Sequence, residues 1–506
     1  MKHPRTIPEP FLLEVFLTNR CNMDCSYCAS RHMITQKTGR ALSFGQLRAA
    51  VDVYAAYGRD GGGGPRRVSV TGGEPLLEFD TLKRFVRYVR RRYPGFEIKV
   101  VTNATLLDRE KAEFFFENDV FLVISLDGCR EEHDRHRVFG DGSGRSAFDA
   151  VLRNLRRLPA GLRRSGNFCV STVVTSETVA SLPRTLRFFE ELGFRQVALG
   201  FDEYEMWDPA GIRRLERSLA EIKERHFRGI VESGDLDDLI CFSFVASYRL
   251  ESQRLLSDYF DVFCREVTLM FDGYFYPGEA VFGMSGEEKY RIGTPQTGID
   301  FGRVREIYSE AFPVIRRYGE NVGVIWPVSR YFHAANRGVD PDAMIRNAVS
   351  VNAAFDRVFG SYWRIQKVLL LLKSDAAFGD FAHRPKYLAG RETGRLRLAV
   401  SGISGLAGLR AATDYFLYSP GKKKSLVLEA VDPSARTLDA AEGMILYSVM
   451  KARSLGKKLE LTLEADASCL DAGRWRYLTE HGVRIGIKTS VKSAPRRSQN
   501  PRCRVL

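Results

Sequence analysis

The sequence predicts an α/β protein whose amino-terminal part is a partial parallel (β/α)6 barrel. From Leu12 to about Asp202, short aliphatic and β-branched runs alternate with segments of helical periodicity. Residues 80–93, for example, repeat apolar side chains at the i, i+3, i+4, i+7 spacing of an amphipathic helix: Leu82, Phe85, Val86 and Val89. Successive βα units build a curved parallel sheet whose functional loops lie at the carboxyl ends of the strands.

Six runs are predicted as the strands of this barrel. They read "LLEVFLT", "RVSVT", "EIKVVT", "VFLVISL", "FCVSTVV" and "QVALGF", and they begin at residues 12, 67, 97, 120, 168 and 196. Helical patterns dominate residues 213–260. A β-rich stretch then contains the hairpin turn Asp272-Gly273, and residues 300–390 are mainly helical in pattern. We therefore predict a barrel over 1–212, a helical bridge with a hairpin region over 213–300, and a helical segment over 301–390.

Residues 391–506 return to βα alternation and form the fourth predicted region. "ENDVFLVISLD", from Glu117, aligns with "EHGVRIGIKTS", from Glu480, and the same offset places "TNATLLD" over "ADASCLD". Either any two strand-helix-strand units share this much, or the region is a decayed copy of the barrel. A second copy would be chemically blank, because its start, "RLRLAVSGISGL", has no cysteine.

The composition is that of a folded, multi-domain protein. The chain has 506 residues, 44% hydrophobic and 27% charged, whereas a single core rarely exceeds about 250–300 residues. No apolar signal segment follows the first residues, and the run Val368–Leu372 is far shorter than the roughly 20 residues of a membrane span. We expect a cytoplasmic protein without a membrane partner. The net charge of +14 comes without a nucleic-acid-binding motif, so nucleic acid is not an expected partner.

Three of the nine cysteines lie together directly after the first predicted strand, in "CNMDCSYC": Cys21, Cys25 and Cys28. Their spacing also fits one face of a helix, but the residues between them are loop formers and no apolar helical pattern extends them. A structural zinc site has four ligands, and no fourth lies at a suitable spacing. An iron-sulfur cube held by three thiolates leaves one iron open for another ligand, which three cysteines satisfy.

With three further motifs, the cysteines carry a resemblance to the radical S-adenosylmethionine (SAM) superfamily. The C-x3-C-x2-C pattern has an aromatic residue, Tyr27, before its last cysteine. "TGGEP", "TNATLL" and "ISLDG" follow at the ends of the second, third and fourth predicted strands. The resemblance implies one [4Fe-4S] cluster and SAM, whose reductive cleavage yields a 5′-deoxyadenosyl radical. The cofactor then supplies the chemistry, and the protein positions and shields it.

The resemblance also implies which residues bind these groups. Cys21, Cys25 and Cys28 would be the metal ligands. The residues implied to contact SAM follow the motifs along the chain: Tyr27, Gly72, Gly73, Glu74, Pro75, Thr102, Asn103, Ser125, Asp127 and Arg137. Among these, Gly72, Gly73 and Glu74 would hold the amino group of SAM, and Arg137 is a candidate for its carboxylate. A solvated charge in a loop is the plain alternative for Arg137.

The stretch "ISLDGCREEHDRHRVFGDGSG" resembles the branch that modifies peptides and proteins: anaerobic sulfatase-maturating enzymes and ribosomal-peptide maturases. This branch usually carries a SPASM or Twitch extension with auxiliary clusters. Here "FYPGEAVFG" has Gly278 where the family has a cysteine, and beyond Cys264 only Cys469 and Cys503 remain. We predict a degenerate extension without an auxiliary cluster. Glu279 stands where sulfatase maturases have an aspartate implicated as catalytic base.

The sequence thus predicts a radical SAM enzyme that modifies a precursor peptide or a protein, with a flavodoxin- or ferredoxin-type one-electron reductant as partner. Two alternatives stay open. One is a radical SAM enzyme acting on a small molecule, and the other is a catalytically quiet iron-sulfur protein that binds a partner. The SAM-site motifs disfavour the last, since an electron carrier needs no SAM pocket. A surface glutamate is the plain alternative for Glu279.

Overall fold

The structure is a computed structural model, and it describes the chain in several stretches. These are residues 12–35, 39–57, 66–159, 167–194, 196–202, 204–233, 241–242, 266–282, 287–318, 327–359, 395–400, 409, 413, 423–431, 435–454, 458–466, 484–488 and 504–505. The chain divides into two compact units. One comprises residues 1–221 and 240–358, and the other comprises residues 222–239 and 359–506.

All six predicted barrel strands are present in the first unit. They are β1 Leu12–Phe16, β2 Arg67–Thr71, β3 Glu97–Thr102, β4 Val120–Ser125, β5 Phe168–Val174 and β6 Gln196–Phe201. They pair in parallel in chain order, and the two-residue strand β7, Cys241–Phe242, continues the sheet beyond β6. The predicted parallel α/β sheet is confirmed.

Helices connect these strands and continue downstream. Their bounds are α1 Phe44–Ala56, α2 Phe79–Arg92, α3 Arg109–Glu117, α4 Arg130–His136, α5 Ala147–Arg157, α6 Leu182–Glu191, α7 Pro209–Ser233, α8 Phe301–Ser309, α9 Phe312–Ile315, α10 Pro327–Arg337 and α11 Pro341–Phe359. Side chains cap several of them: the Ser43 hydroxyl and Gln46 amide form a capping box at α1, and Asp108 accepts from the backbone of Lys111 at α3. Among the described residues, the structure contains no helix that meets the length and apolarity of a transmembrane span.

The predicted hairpin at Asp272-Gly273 is confirmed, and it joins the barrel sheet. Strand β8, Glu266–Leu269, pairs antiparallel with β9, Phe275–Tyr276, and the turn between them places Gly273 at φ +90°. On its other side β8 pairs parallel with β1. With β10, Gly293–Thr294, and β11, Gly298–Ile299, the described strands form one eleven-stranded sheet.

The two faces of the barrel sheet differ in composition. The face packed with α1, α2 and α3 is fully buried and apolar, with Leu13, Val15, Val68, Val70, Ile98 and Val100 at 0–1% exposure. We call the opposite face the inner face. When the helices all lie on one side of a parallel sheet, the sheet curls so that its other side faces inward. The alternate residues Glu14, Ser69 and Lys99 are on this face.

The second unit contains a separate sheet of five described strands, all parallel and in chain order. They are β12 Arg395–Val400, β13 Lys423–Ala430, β14 Lys458–Asp466, β15 Arg484–Lys488 and β16 Arg504–Val505, with helix α12 at Ala435–Ser454. In the alignment of residues 117–127 with residues 480–490, β15 corresponds to β4, and the same offset makes β14 correspond to β3. The βα alternation predicted for this region is thus seen as a parallel sheet, and its origin as a decayed copy of the barrel stays a prediction. Cys264, Cys469, Cys503 and the run Val368–Leu372 lie outside the described residues.

Candidate functional site

The three cysteines lie in a loop that follows β1, as predicted, and not on a helix. We call residues 17–35 the cysteine loop. The segment after α4 pairs with it: the amide of Asp24 donates to Val138 (2.8 Å), that of Ser26 to His136 (2.9 Å), and that of Gly140 to the carbonyl of Asn22 (3.0 Å). The cysteine loop is therefore held in place by backbone hydrogen bonds along its length.

The two glycines of "TGGEP" lie against the backbone of the cysteine loop. The amide of Gly73 donates to the carbonyl of Thr18 (2.7 Å), and that of Glu74 to the carbonyl of Arg20 (2.8 Å). A Cβ on Gly73 would lie 2.0 Å from the Arg20 oxygen, and Gly72 has φ +137°. The close approach that requires glycine here is to the protein's own chain. A contact of these glycines with a cofactor stays a prediction.

The Glu74 carboxylate joins the ends of β2 and β3. It is completely buried and accepts from the hydroxyl of Thr102 (2.7 Å), the amide of Asn103 (2.8 Å) and the amide of Leu76 (2.9 Å). Burial raises the pKa of Glu74, against the effect of these bonds. Pro75 begins a 3-10 turn directly after it. A contact of Glu74 with the amino group of SAM stays a prediction.

Side-chain hydrogen bonds among Asn22, Asn103 and Thr105 join the cysteine loop to the end of β3, and of these three only Asn103 was predicted as a site residue. The Asn103 amide donates to the side-chain oxygen of Asn22 (2.9 Å), and the Asn22 amide donates to the hydroxyl of Thr105 (2.8 Å). Thr105 donates in turn to Asn103 (2.7 Å). The sequence showed Asn22 only as a loop former, and nothing in its spacing indicated its partner on another strand.

The buried Asp127 and Arg137 form a cluster with the half-buried Tyr27 beside the cysteines. The Arg137 guanidinium contacts both Asp127 oxygens (2.9 and 3.4 Å), the Tyr27 phenol donates to Asp127, and Arg137 lies 5.3 Å from the centre of the Tyr27 ring. Burial disfavours the charge of Asp127, but Arg137, His133 and the hydrogen bonds outweigh it and hold the pKa of Asp127 below its ordinary value. Arg137 is thus paired with Asp127, and its contact with a carboxylate of SAM stays a prediction.

The last two predicted residues lie on opposite sides of the site. Ser125 ends β4 and pairs in register with Ser171 on β5, so it lies at the carboxyl-terminal edge of the sheet. Glu279 is half-buried and accepts from the hydroxyl of Ser30 (3.2 Å). Its charge acts on the Cys28 thiol. The hairpin region thereby brings a carboxylate to the end of the cysteine loop.

The chemistry of the three thiols fits an iron-sulfur cluster. Burial raises the pKa of Cys21 to about 12 and that of Cys28 to about 11. Burial also raises the pKa of Cys25, although Arg137 opposes it. Thiolates form in such surroundings when a metal supplies positive charge. Within the described residues no three His, Cys, Asp or Glu side chains surround a position for a single metal ion. A cube distributes its thiolates over separate irons and does not need such a position.

Comparison with known proteins identifies the domain. The profile of the Radical SAM superfamily matches residues 15–189. These residues are a radical SAM domain. They contain the end of β1, the cysteine loop, β2 to β5 and every predicted site residue except Glu279. The family implies a [4Fe-4S] cluster and SAM, and Cys21, Cys25 and Cys28 are the residues that would hold the cluster.

Several curated proteins share this domain. The chain is 26% identical over 183 residues to a cysteine-type anaerobic sulfatase-maturating enzyme of Clostridium novyi, which covers 35% of this chain and 47% of that protein. It is 32% identical over 141 residues to a probable GTP 3′,8-cyclase of Methanocella arvoryzae, and the match covers 28% of this chain and 40% of that protein. An uncharacterised protein of Methanocaldococcus jannaschii is 27% identical over 184 residues, covering 36% and 59%. The chain thus spans about half the length of these relatives.

Two solved structures are similar to the chain at low identity. One is the native anSMEcpe with bound AdoMet, at 20% identity and a TM-score of 0.45, covering 58% of this chain and 80% of that one. The other is Streptococcus suis SuiB bound to the precursor peptide SuiA, at 17% identity and a TM-score of 0.39, covering 56% and 63%.

Proposed function

We propose that this protein is a radical SAM enzyme that modifies a peptide or protein, and that its substrate is a ribosomally made precursor peptide. The observation that carries the proposal is the cysteine loop, which contains three thiols and is held in place by the GGEP segment, the end of β3 and the segment after α4. When bound, the cluster and SAM supply a reactive carbon radical. Sequence similarity to sulfatase-maturating enzymes supports a peptide substrate.

Within this proposal the protein's own residues have three tasks. Asn22, Asn103 and the Gly72-Gly73 backbone fix the cysteine loop. Arg137 lies beside Cys25 and opposes the effect of burial on that thiol, so it favours the ionised sulfur that binds iron. Glu279, at the other end of the loop, is the proposed base or substrate contact. A positioned carboxylate of this kind contributes typically 10²–10⁴-fold to proton transfer.

The proposal is tested by anaerobic reconstitution of the full chain with iron and sulfide. Reduction with dithionite in the presence of SAM is expected to yield 5′-deoxyadenosine, and a variant with all three cysteines replaced by alanine is the control. Iron near about four atoms per chain is expected for one cluster, and roughly eight or more would refute the predicted absence of an auxiliary cluster. If wild type yields no 5′-deoxyadenosine, the enzyme proposal is refuted. The alternative that then stands is a catalytically quiet iron-sulfur protein that binds a partner.

A second candidate is a radical SAM enzyme acting on a small molecule, which similarity to GTP 3′,8-cyclases favours. Co-expression with short peptides encoded beside the gene, followed by mass spectrometry, separates the two. A mass change in a peptide that requires Cys21, Cys25 and Cys28 supports the peptide substrate. Consumption of GTP, with every such peptide unchanged, supports the alternative. A flavodoxin- or ferredoxin-type reductant is proposed as the natural electron donor in place of dithionite.

A further inference from the structure

Polar side chains from four neighbouring strands lie at one level of the inner face. The register places Glu14 on β1 opposite Ser69 on β2 and Thr268 on β8, and Ser69 opposite Lys99 on β3. Glu266 lies two residues before Thr268, on the same face of β8. We call these five residues the inner-face cluster. The interior of a barrel of parallel strands is usually filled at each level by branched apolar side chains. The polar inner-face cluster differs from this pattern, and core packing does not explain it.

The charges of the cluster are close enough to influence one another. Burial and the neighbouring Glu14 raise the pKa of Glu266 to about 8, against the opposing effect of Lys99. Burial also raises the pKa of Glu14, although Lys99 and a hydrogen bond from Thr268 oppose it. Glu14, Glu266 and Lys99 are nevertheless only half-buried, so the space in front of them can be reached. Two acids thus face one base in a partly enclosed space.

The polar groups of the cluster leave room between them. Lys99 acts on both carboxylates through space, yet none of the direct ion pairs in the described part of the chain joins it to Glu14 or Glu266. The hydroxyl of Ser69 is completely buried between Glu14 and Lys99 and has no hydrogen-bond partner among the described residues. A buried hydroxyl without a partner is unfavourable by about 1–3 kcal/mol, which a bound polar group would relieve.

We propose that the inner-face cluster binds an organic cation, an ammonium or guanidinium group, held between Glu14 and Glu266 and hydrogen-bonded to the Ser69 hydroxyl. With both carboxylates ionised, Lys99 balances only one of them, and a bound cation balances the other. The N–H groups of such a cation are the donors that two carboxylates and a hydroxyl accept. A single metal ion fits less well, because no three metal-binding side chains converge within the described residues.

The binding site is tested without any radical chemistry, by calorimetric titration of the full 506-residue chain at pH 7. The probes are N-methylguanidinium and n-butylammonium chloride, and n-butanol and sodium butyrate are the neutral and anionic counterparts. Saturable binding of the two cations alone is expected, with at least tenfold weaker binding to Glu14→Gln and Glu266→Gln. Glu97→Gln is the matched control. Glu97 is on the same face of β3 as Lys99, but it is exposed and paired with Arg67. It should bind like wild type.

Two further measurements separate binding from folding. A cation that ionises Glu266 at pH 7 should release close to one proton, since a group with a pKa of about 8 is mostly protonated there. Titration in buffers of different ionisation enthalpy measures this, and Glu266→Gln should release none. The groups that act on Glu266 are Glu14 and Lys99. Arg67 on β2 and Glu97 on β3 lie at the level of Glu266 in the register. Ser69→Ala removes a buried hydroxyl without a partner, so it should keep or raise the melting temperature and weaken binding.

Several results would overturn the proposal: no saturable binding of either cation, equal binding by butyrate, or wild-type affinity in Glu14→Gln and Glu266→Gln. The outcome is separable from that of the proposed function. Cation binding without SAM cleavage would support the site and refute the enzyme. SAM cleavage without cation binding would support the enzyme and refute the site.

Discussion

Replacing Gly73 by alanine tests whether the GGEP segment holds the cysteine loop in place. The added Cβ would lie 2.0 Å from the carbonyl oxygen and 2.5 Å from the carbonyl carbon of Arg20, where real contacts are not shorter than 3.0 Å. The two backbones must therefore separate by about 1 Å. This shift strains the hydrogen bonds from Gly73 to Thr18 and from Glu74 to Arg20, at 2.7 and 2.8 Å. Because both contact atoms are backbone, no side chain can rotate away.

The expected loss of stability is about 1–3 kcal/mol for overpacking, plus about 1 kcal/mol for each hydrogen bond that fails to re-form. Urea unfolding of the apoprotein measures this loss, and iron content after reconstitution measures the effect on the cysteine loop. Gly95→Ala is the matched control, because a Cβ there meets nothing within 4 Å. Full iron content and unchanged stability in Gly73→Ala would refute the structural role of the glycine.

Four further variants test individual contacts. Asp127→Asn leaves the buried Arg137 guanidinium without its carboxylate and should lower stability in urea by about 3–5 kcal/mol. Asn22→Ala removes two side-chain bonds between the cysteine loop and the end of β3, and we expect reduced iron retention on gel filtration after reconstitution. Between about pH 4.5 and 8, Glu266 keeps a proton in the folded protein that it has lost in the unfolded chain, so the stability of wild type falls as pH rises. Glu266→Gln should flatten this pH dependence of stability. Glu279→Gln should keep iron and SAM cleavage but slow substrate modification at least tenfold.

Controls and contrary results are specific to each variant. Asp149→Asn, in an exposed pair with Arg130, should change stability by no more than about 1 kcal/mol, and an equal loss in Asp127→Asn would contradict the buried-charge argument. Asn118→Ala, at the end of α3, should leave iron retention unchanged. If the stability of Glu266→Gln depends on pH as that of wild type does, other titratable groups cause the dependence. Loss of iron in Glu279→Gln would show that the carboxylate supports the cysteine loop and is not limited to chemistry.

Much of the radical SAM domain could be predicted from local sequence. Strand runs, helical periodicity and turn residues are signals carried by neighbours along the chain, and all six barrel strands and the Asp272-Gly273 turn were found from them. The placement of the three cysteines in a loop followed from the residues between them. The addition of β8 to β1 was not predicted, because strand pairing across more than 250 residues leaves no local pattern.

The sequence by itself determined the residue types of the site: three thiols after the first strand, glycines and an acid after the second, and an aspartate and an arginine near the fourth. Only the tertiary structure decided what these residues contact. It placed Gly73 against Arg20, paired Arg137 with Asp127, and brought Glu279 to the end of the cysteine loop. The physical reason is that hydrogen bonds and ion pairs act over about 3 Å in space. Which residues come within that distance depends on how the sheet curls, and no spacing along the chain records it.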